Sequence, residues 1–260
     1  MKLKTFYIAL MTISITFILT ACSQNTDQND GLFHNLFVEP FTNAIHIIGT
    51  FFNGSFGLAI IMITLLIRLI LMPLMFKQYK NQQVMKEKMD LLKPEMDEIQ
   101  KKLKETKDIK EQQTLQQEMF SLYRKHGVNP LSIGCLPMLI QMPILMGFYY
   151  AIRGSEEIAT HSFLWFNLGS PDLWITALAG IVYYLQFKVS STNIPSAQQQ
   201  QMKLMGLLSP VMIVMFSFNA PAALPLYWAV GGGFLIIQSL IGKRLYQSKA
   251  SYVETDGQKA

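Results

Sequence analysis

Two cysteines are all that this 260-residue chain contains, and its four histidines all fall outside the long apolar runs. Neither residue is therefore present in the numbers or places that a metal centre or a disulfide framework needs. Charge is scarce as well: Asp, Glu, Lys and Arg make up 15% of the chain, and Asp and Glu are missing from all five apolar runs. A membrane proton relay needs carboxylates or histidines in facing spans, so proton-coupled transport lacks its usual chemistry here. No internal repeat is visible, which leaves an inverted-repeat transporter little support. No Walker-type phosphate loop occurs either; Gly231, Gly232 and Gly233 lie inside an apolar run, where glycine serves close helix packing. No nucleophile stands with a base and an orienting partner, so the chain reads as a non-enzyme with no metal site.

What is abundant is apolar surface. Half the residues are hydrophobic and the mean hydropathy is +0.25, values that place the chain in the membrane class. The first residues pair a basic start (Lys2, Lys4) with an apolar stretch from Thr5 to Leu19, followed by Leu19-Thr20-Ala21-Cys22. Small residues ahead of a cleavage point mark a signal peptide over 1–21. A cysteine directly after it resembles a bacterial lipoprotein box, which implies diacylglycerol on the Cys22 sulfur and a mature N-terminus outside the cell. That covalent lipid is the only cofactor-like group expected. It also leaves Cys135 without a disulfide partner, as a small core residue.

Five runs are long enough to cross a bilayer or nearly so: 56–76, 131–152, 173–190, 204–219 and 225–242. The last three are short, as suits a thin or locally thinned bilayer. With the lipid-anchored end outside, an odd number of spans places the tail 243–260 in the cytoplasm. Charge gives an independent check. Residues 22–55 carry Asp27, Asp30 and Glu39 with no Lys or Arg, and the loop 153–172 carries three acids against Arg153, whereas 77–130 carries twelve basic residues. Positive loops stay inside, so both arguments orient the chain alike. The short loop 191–203 is then also cytoplasmic. Between Gly31 and Phe52 the polar interruptions predict a helix lying on the outer surface, and the aromatics of 160–170 suit the headgroup level.

Arg68 sits inside the first run with no acid in any span to pair with it. Its insertion penalty, roughly 2.5 to 3.5 kcal/mol at a helix centre, is one that so apolar a segment absorbs. Snorkelling is the simplest account, but Phe76 is eight residues away, about 12 Å of helix rise, beyond comfortable side-chain reach. The alternative is a water-filled recess within the bilayer.

Between the first two spans, Met85, Met89, Leu92, Met96, Ile99 and Leu103 follow a heptad seam. After a polar break at Glu105 to Asp108, Leu115, Met119 and Leu122 form a second seam. The two predict an antiparallel helical hairpin, with a kink at Pro94. It is either a solvated spacer or a recruiting arm whose soft methionine stripe meets varied partners.

The second span holds Asn129-Pro130-Leu131-Ser132-Ile133-Gly134-Cys135-Leu136-Pro137-Met138-Leu139-Ile140-Gln141-Met142-Pro143. Gln141 lies at a depth close to that of Arg68, and Gln186 and Gln238 lie nearer the inner ends of the third and fifth spans. Any one glutamine reads equally well as interhelical glue. Together with Arg68 they fit a recess open to the cytoplasm. This run, the Arg68 span leading into Pro73-Leu74, and Leu224-Pro225-Leu226-Tyr227-Trp228 resemble the YidC family of membrane protein insertases, over roughly residues 31–245. The lipobox and short outer segment resemble its Gram-positive branch. The resemblance implies an all-α membrane protein with five transmembrane helices around a cytoplasm-open hydrophilic groove. It implies clients among nascent membrane proteins, and work alone or with a Sec translocase in contact with membrane lipids. The tail from Lys243, with four basic and two acidic residues, is a weak electrostatic handle for a ribosome. The net charge of +5 falls to +3 after loss of Lys2 and Lys4, too small to suggest direct nucleic-acid binding. Arg68 corresponds to the family's groove arginine, and Gln186 and Trp228 map to groove positions; Gln141 follows from its depth, and Gln238 from the clustering of polar groups in the inner half of the spans. Trp228 also reads as an aromatic-belt anchor. An anion channel and a scaffold lipoprotein are the competing classes.

Overall fold

The computed structural model describes residues 31–128, 135–191 and 199–257. Cys22 and the first six residues of the proline-rich run of the second span, 129–134, lie outside them, as does the side chain of Cys135. The described part is helical apart from one minimal hairpin of strands. A π-helical turn, His34–Val38, leads into α1 (Glu39–Phe51) and then α2 (Phe56–Leu91). Next come α3 (Lys93–Glu105), α4 (Ile109–Lys125), α5 (Cys135–Gly154) and the short α6 (Glu156–Thr160). Strands β1 (Ser162–Phe163) and β2 (Phe166–Asn167) pair antiparallel, and α7 (Leu173–Ser191), α8 (Gln199–Ser217) and α9 (Ala223–Gly257) complete the chain.

Three helices among the described residues are long and apolar enough to cross a membrane: Phe56–Leu91, Leu173–Ser191 and Ala223–Tyr246. Helix is the natural state of such runs, since lipid offers no partner for an unpaired amide. The first does not stop at residue 76 as the composition suggests. It continues through Pro73 to Leu91, so the lower part of α2 already belongs to the hairpin. The fifth run is likewise part of a longer helix, 35 residues from Ala223 to Gly257.

Pro94 does not kink a continuous helix. α2 ends at Leu91, and Pro94 stands in the first turn of α3, where its missing N–H costs nothing. Asp108 caps α4 by accepting a hydrogen bond from the Lys110 N–H at 3.0 Å. The two heptad seams meet: Met89, Leu92, Met96, Ile99, Leu115 and Leu122 are buried against one another, joined by Tyr123 and Val128. The methionine stripe is thus consumed inside the hairpin, with Met89 and Met96 fully enclosed, and does not lie open for a partner.

The main core occupies the opposite end of the molecule. Val38 and Ile45 of the first segment, Phe56 and Ile60 of α2, Phe148 and Ile152 of α5, and Ala222 with the Ala223 to Ala229 stretch of α9 close over it. α1 packs on α2 and α5, so its apolar face is only partly directed outward. α9 packs on α7 and α2, and α8 leans on α7. Between the two cores the helices enclose a less tightly filled middle.

Candidate functional site

That middle holds a cavity of about 460 Å³ to which five helices contribute. Arg68, Leu71 and Met75 come from α2, Gln141 and Leu145 from α5, Tyr183 from α7, Ser209, Met212 and Phe216 from α8, and Trp228, Leu235 and Gln238 from α9. The walls are mostly apolar, with Arg68, Gln141, Tyr183, Ser209 and Gln238 as the polar groups set into them.

Arg68 owes its position to a glycine. A Cβ added at Gly231 would stand 2.9 Å from Arg68 Nη2 and 3.2 Å from Nε, so the guanidinium lies directly against the α9 backbone. A side chain at Gly231 would displace this end of the arginine. Gly232 does the same for α7, since a Cβ there would meet Val182 and Tyr183. The glycine run is therefore a packing device with one face given to the arginine. Among the described residues no carboxylate stands within ion-pairing distance of Arg68, in keeping with the absence of acids from the apolar runs.

Gln141 donates from Nε2 to the Tyr227 hydroxyl at 2.5 Å, tying α5 to α9 at the cavity wall. Gln238 is buried, yet its Oε1 accepts no hydrogen bond among the described residues. An unsatisfied buried carbonyl costs about 1 to 3 kcal/mol, which any donor entering the cavity would recover. Trp228 is only 6% exposed and lines the cavity; a headgroup anchor would face outward. Four of the five residues singled out from the sequence thus meet in one place. Gln186 does not: its amide donates to Ser190 Oγ at 3.0 Å along α7, and Tyr183, three residues earlier, lines the cavity instead. Tyr183, Ser209 and Tyr227 were not singled out as site residues, since a hydroxyl within a span gives little sign of which helix face it occupies.

Chemically the arrangement combines five fixed N–H donors on a cation, a free amide carbonyl and apolar walls. It suits an extended polar or acidic segment adjoining an apolar one.

Comparison with known proteins agrees with this architecture. The family model described as 60Kd inner membrane protein matches residues 47–249. The chain is 50% identical over 250 residues to membrane protein insertase YidC 2 of Listeria monocytogenes serotype 4b (strain F2365), covering 96% of this chain and 91% of that one. It is 45% identical over 257 residues to membrane protein insertase MisCB of Bacillus subtilis (strain 168), covering 92% and 93% respectively. Among solved structures it is similar to an active YidC insertase crystal structure with the first transmembrane domain resolved, at 26% identity and a TM-score of 0.54. That match covers 88% of this chain but only 49% of the solved one, so this chain spans about half its length. With a family match over most of its length and relatives at half identity, the chain belongs to the YidC family of membrane protein insertases.

Proposed function

We propose that this chain inserts nascent membrane proteins by receiving the polar, often acidic, end of a client in the cavity beside Arg68 while the adjoining apolar segment passes into lipid. The observation that carries this reading is an arginine without a carboxylate partner among the described residues, held between five helices in a cavity with apolar walls. A carboxylate about 4 Å from the guanidinium gains roughly 4 kcal/mol at an effective dielectric of 20. The crossing is thereby divided: the polar end rests at mid-depth before traversing the remaining dry half. Partition of the client's apolar segment, roughly 25 cal/mol per Å² removed from water, drives the step. Neither a nucleotide nor a catalytic group enters this scheme.

In this reading the chain has five spans around a groove open to the cytoplasm, a lipid on Cys22 outside, and its tail inside the bacterial cell. The hairpin is the first station for clients, and contact is made through its charged outer surface, since its apolar seam is internal. A Sec translocase and the ribosome are proposed partners, and the chain also works without the former. Photocrosslinking tests the path. A photoreactive residue replacing Gln141 or Gln238 is expected to form adducts with a single-span client during synthesis, while one replacing the exposed Phe51 of α1 forms none. Absence of adducts at the first two positions, or equal yield from the third, sinks the cavity route.

A further inference from the structure

The turn between β1 and β2 sets two large apolar side chains in the open. Leu164 and Trp165 are both exposed, although the strands that carry them are fixed below. Phe163 lies across Gly57 of α2, where an added Cβ would fall within 2.1 Å of its ring, and Phe166 is buried in the main core. The loop that follows is bonded to α9, with the Ala223 N–H donating to the Leu168 carbonyl at 3.0 Å and the Ala222 N–H to that of Ser170 at 2.9 Å. Leu164 adopts φ +55, a conformation for which glycine or asparagine is the ordinary choice. A bulky apolar residue is therefore held at a strained tip with none of the described residues covering it.

The surface beside this tip indicates what covers it. Trp165 donates from Nε1 to Asp172 Oδ1 at 3.4 Å, and the same oxygen accepts from the Ile175 N–H at 2.9 Å, fastening the indole to the first turn of α7. From there Trp174, Leu178, Ile181 and Leu185 follow at spacings of four, three and four and are all exposed, forming one apolar stripe along a membrane-length helix. On a helix that crosses a bilayer, a stripe of this kind is suited to acyl chains. Trp165 continues it at the end of the molecule away from the helical hairpin.

We propose that Leu164 and Trp165 form a lipid-inserting wedge that enters the upper acyl region of the leaflet opposite the hairpin. The indole N–H is already satisfied by Asp172, so its ring enters lipid without an orphan donor. Its attachment to α2, α7 and α9 fixes the wedge rigidly to the same helices that enclose the cavity. It thus anchors the bundle's depth in the bilayer and disturbs lipid next to the client's exit. The attraction is apolar burial, and so is independent of headgroup charge.

The chain has three tryptophans, Trp165, Trp174 and Trp228, which makes fluorescence selective. The full chain carrying Trp174→Phe and Trp228→Phe is reconstituted in phosphatidylcholine vesicles whose acyl chains bear bromine either near the headgroup or near the terminal methyl. Trp165 emission is expected to be blue-shifted from that of indole in water, quenched most by the shallow bromine, and unchanged when anionic phosphatidylglycerol is added. Leu164→Gly suits the positive φ, so the fold persists while the quenching falls by roughly half. A companion with Trp165→Phe and Trp174→Phe leaves Trp228 to report the fold, and its emission should be the same with and without Leu164→Gly. Trp165 emission quenched by aqueous iodide and untouched by either bromine would overturn the wedge, as would quenching unaltered by Leu164→Gly when Trp228 reports an intact fold.

Discussion

Gly231 and Arg68 make the sharpest residue-level pair. Alanine is favoured over glycine inside a helix by about 1 kcal/mol, so Gly231→Ala gains propensity while its Cβ pushes the guanidinium from its seat. The expected result is a chain as stable as the parent in thermal unfolding in detergent, yet slower at insertion. Gly233→Ala is the matched control, because a Cβ there meets nothing within 4 Å. It should gain the same propensity with insertion unchanged. Equal insertion by both variants contradicts the seat. Tyr227→Phe removes the acceptor of the Gln141 bond from a side chain only 1% exposed, and should cost about 1 kcal/mol of stability by denaturant unfolding. Arg68 and Gln141 are legible in the sequence because each is polar at depth in an apolar run, and Gln238 because it is polar within one, whereas Trp228 comes from the motif shared with the family. Gln186 rests on its polarity within a span and its match to a family groove position, neither of which specifies direction around the helix, and its amide turns to Ser190. The glycine seat was visible only as a packing run; which of the three glycines met the arginine needed the helices in place.

At the level of elements, the hairpin shows periodicity at its most informative. The seam spacing named Met89, Leu92, Met96 and Ile99 correctly as the residues that α3 and the end of α2 bury. Because the stripe is then internal, Met96→Ala should open a cavity and cost about 2 to 5 kcal/mol of hairpin stability. Hydrogen exchange would speed up across α3 and α4 and leave α7 and α9 unchanged. Exchange unaltered in the hairpin would mean that its two helices are not held by this seam. Element ends were less legible than element identities. Apolar composition fades at Phe76, but nothing in the backbone requires the helix to stop there, so α2 runs on to the residues just before Pro94. The segment 160–170 is plainly rich in aromatics in the sequence. Its strand pairing and positive-φ tip depend on contacts with Gly57, Asp172 and α9 that no local pattern encodes.

Taken as a whole, the molecule has a dense core at one end, an independent seam in the hairpin at the other, and between them a cavity holding a charge. This distribution separates functions: the two cores keep the bundle together, so the middle is free to stay loosely filled and to hold a few polar groups among apolar walls. It also separates the proposed account from its rivals. A scaffold would use the ends and have no need of Arg68, and an anion channel would move ions without a client. A charge-only role further predicts that Arg68→Lys keeps much of the activity, whereas capture by the planar guanidinium predicts its loss. The most direct test of the central claim is protease protection of a small single-span protein with an acidic translocated end, synthesised in the presence of liposomes containing this chain or its Arg68→Ala form. The account predicts protection that requires the chain and falls about tenfold without the arginine, the equivalent of roughly 1.4 kcal/mol. Protection that requires the chain but is the same for Arg68→Ala would contradict it.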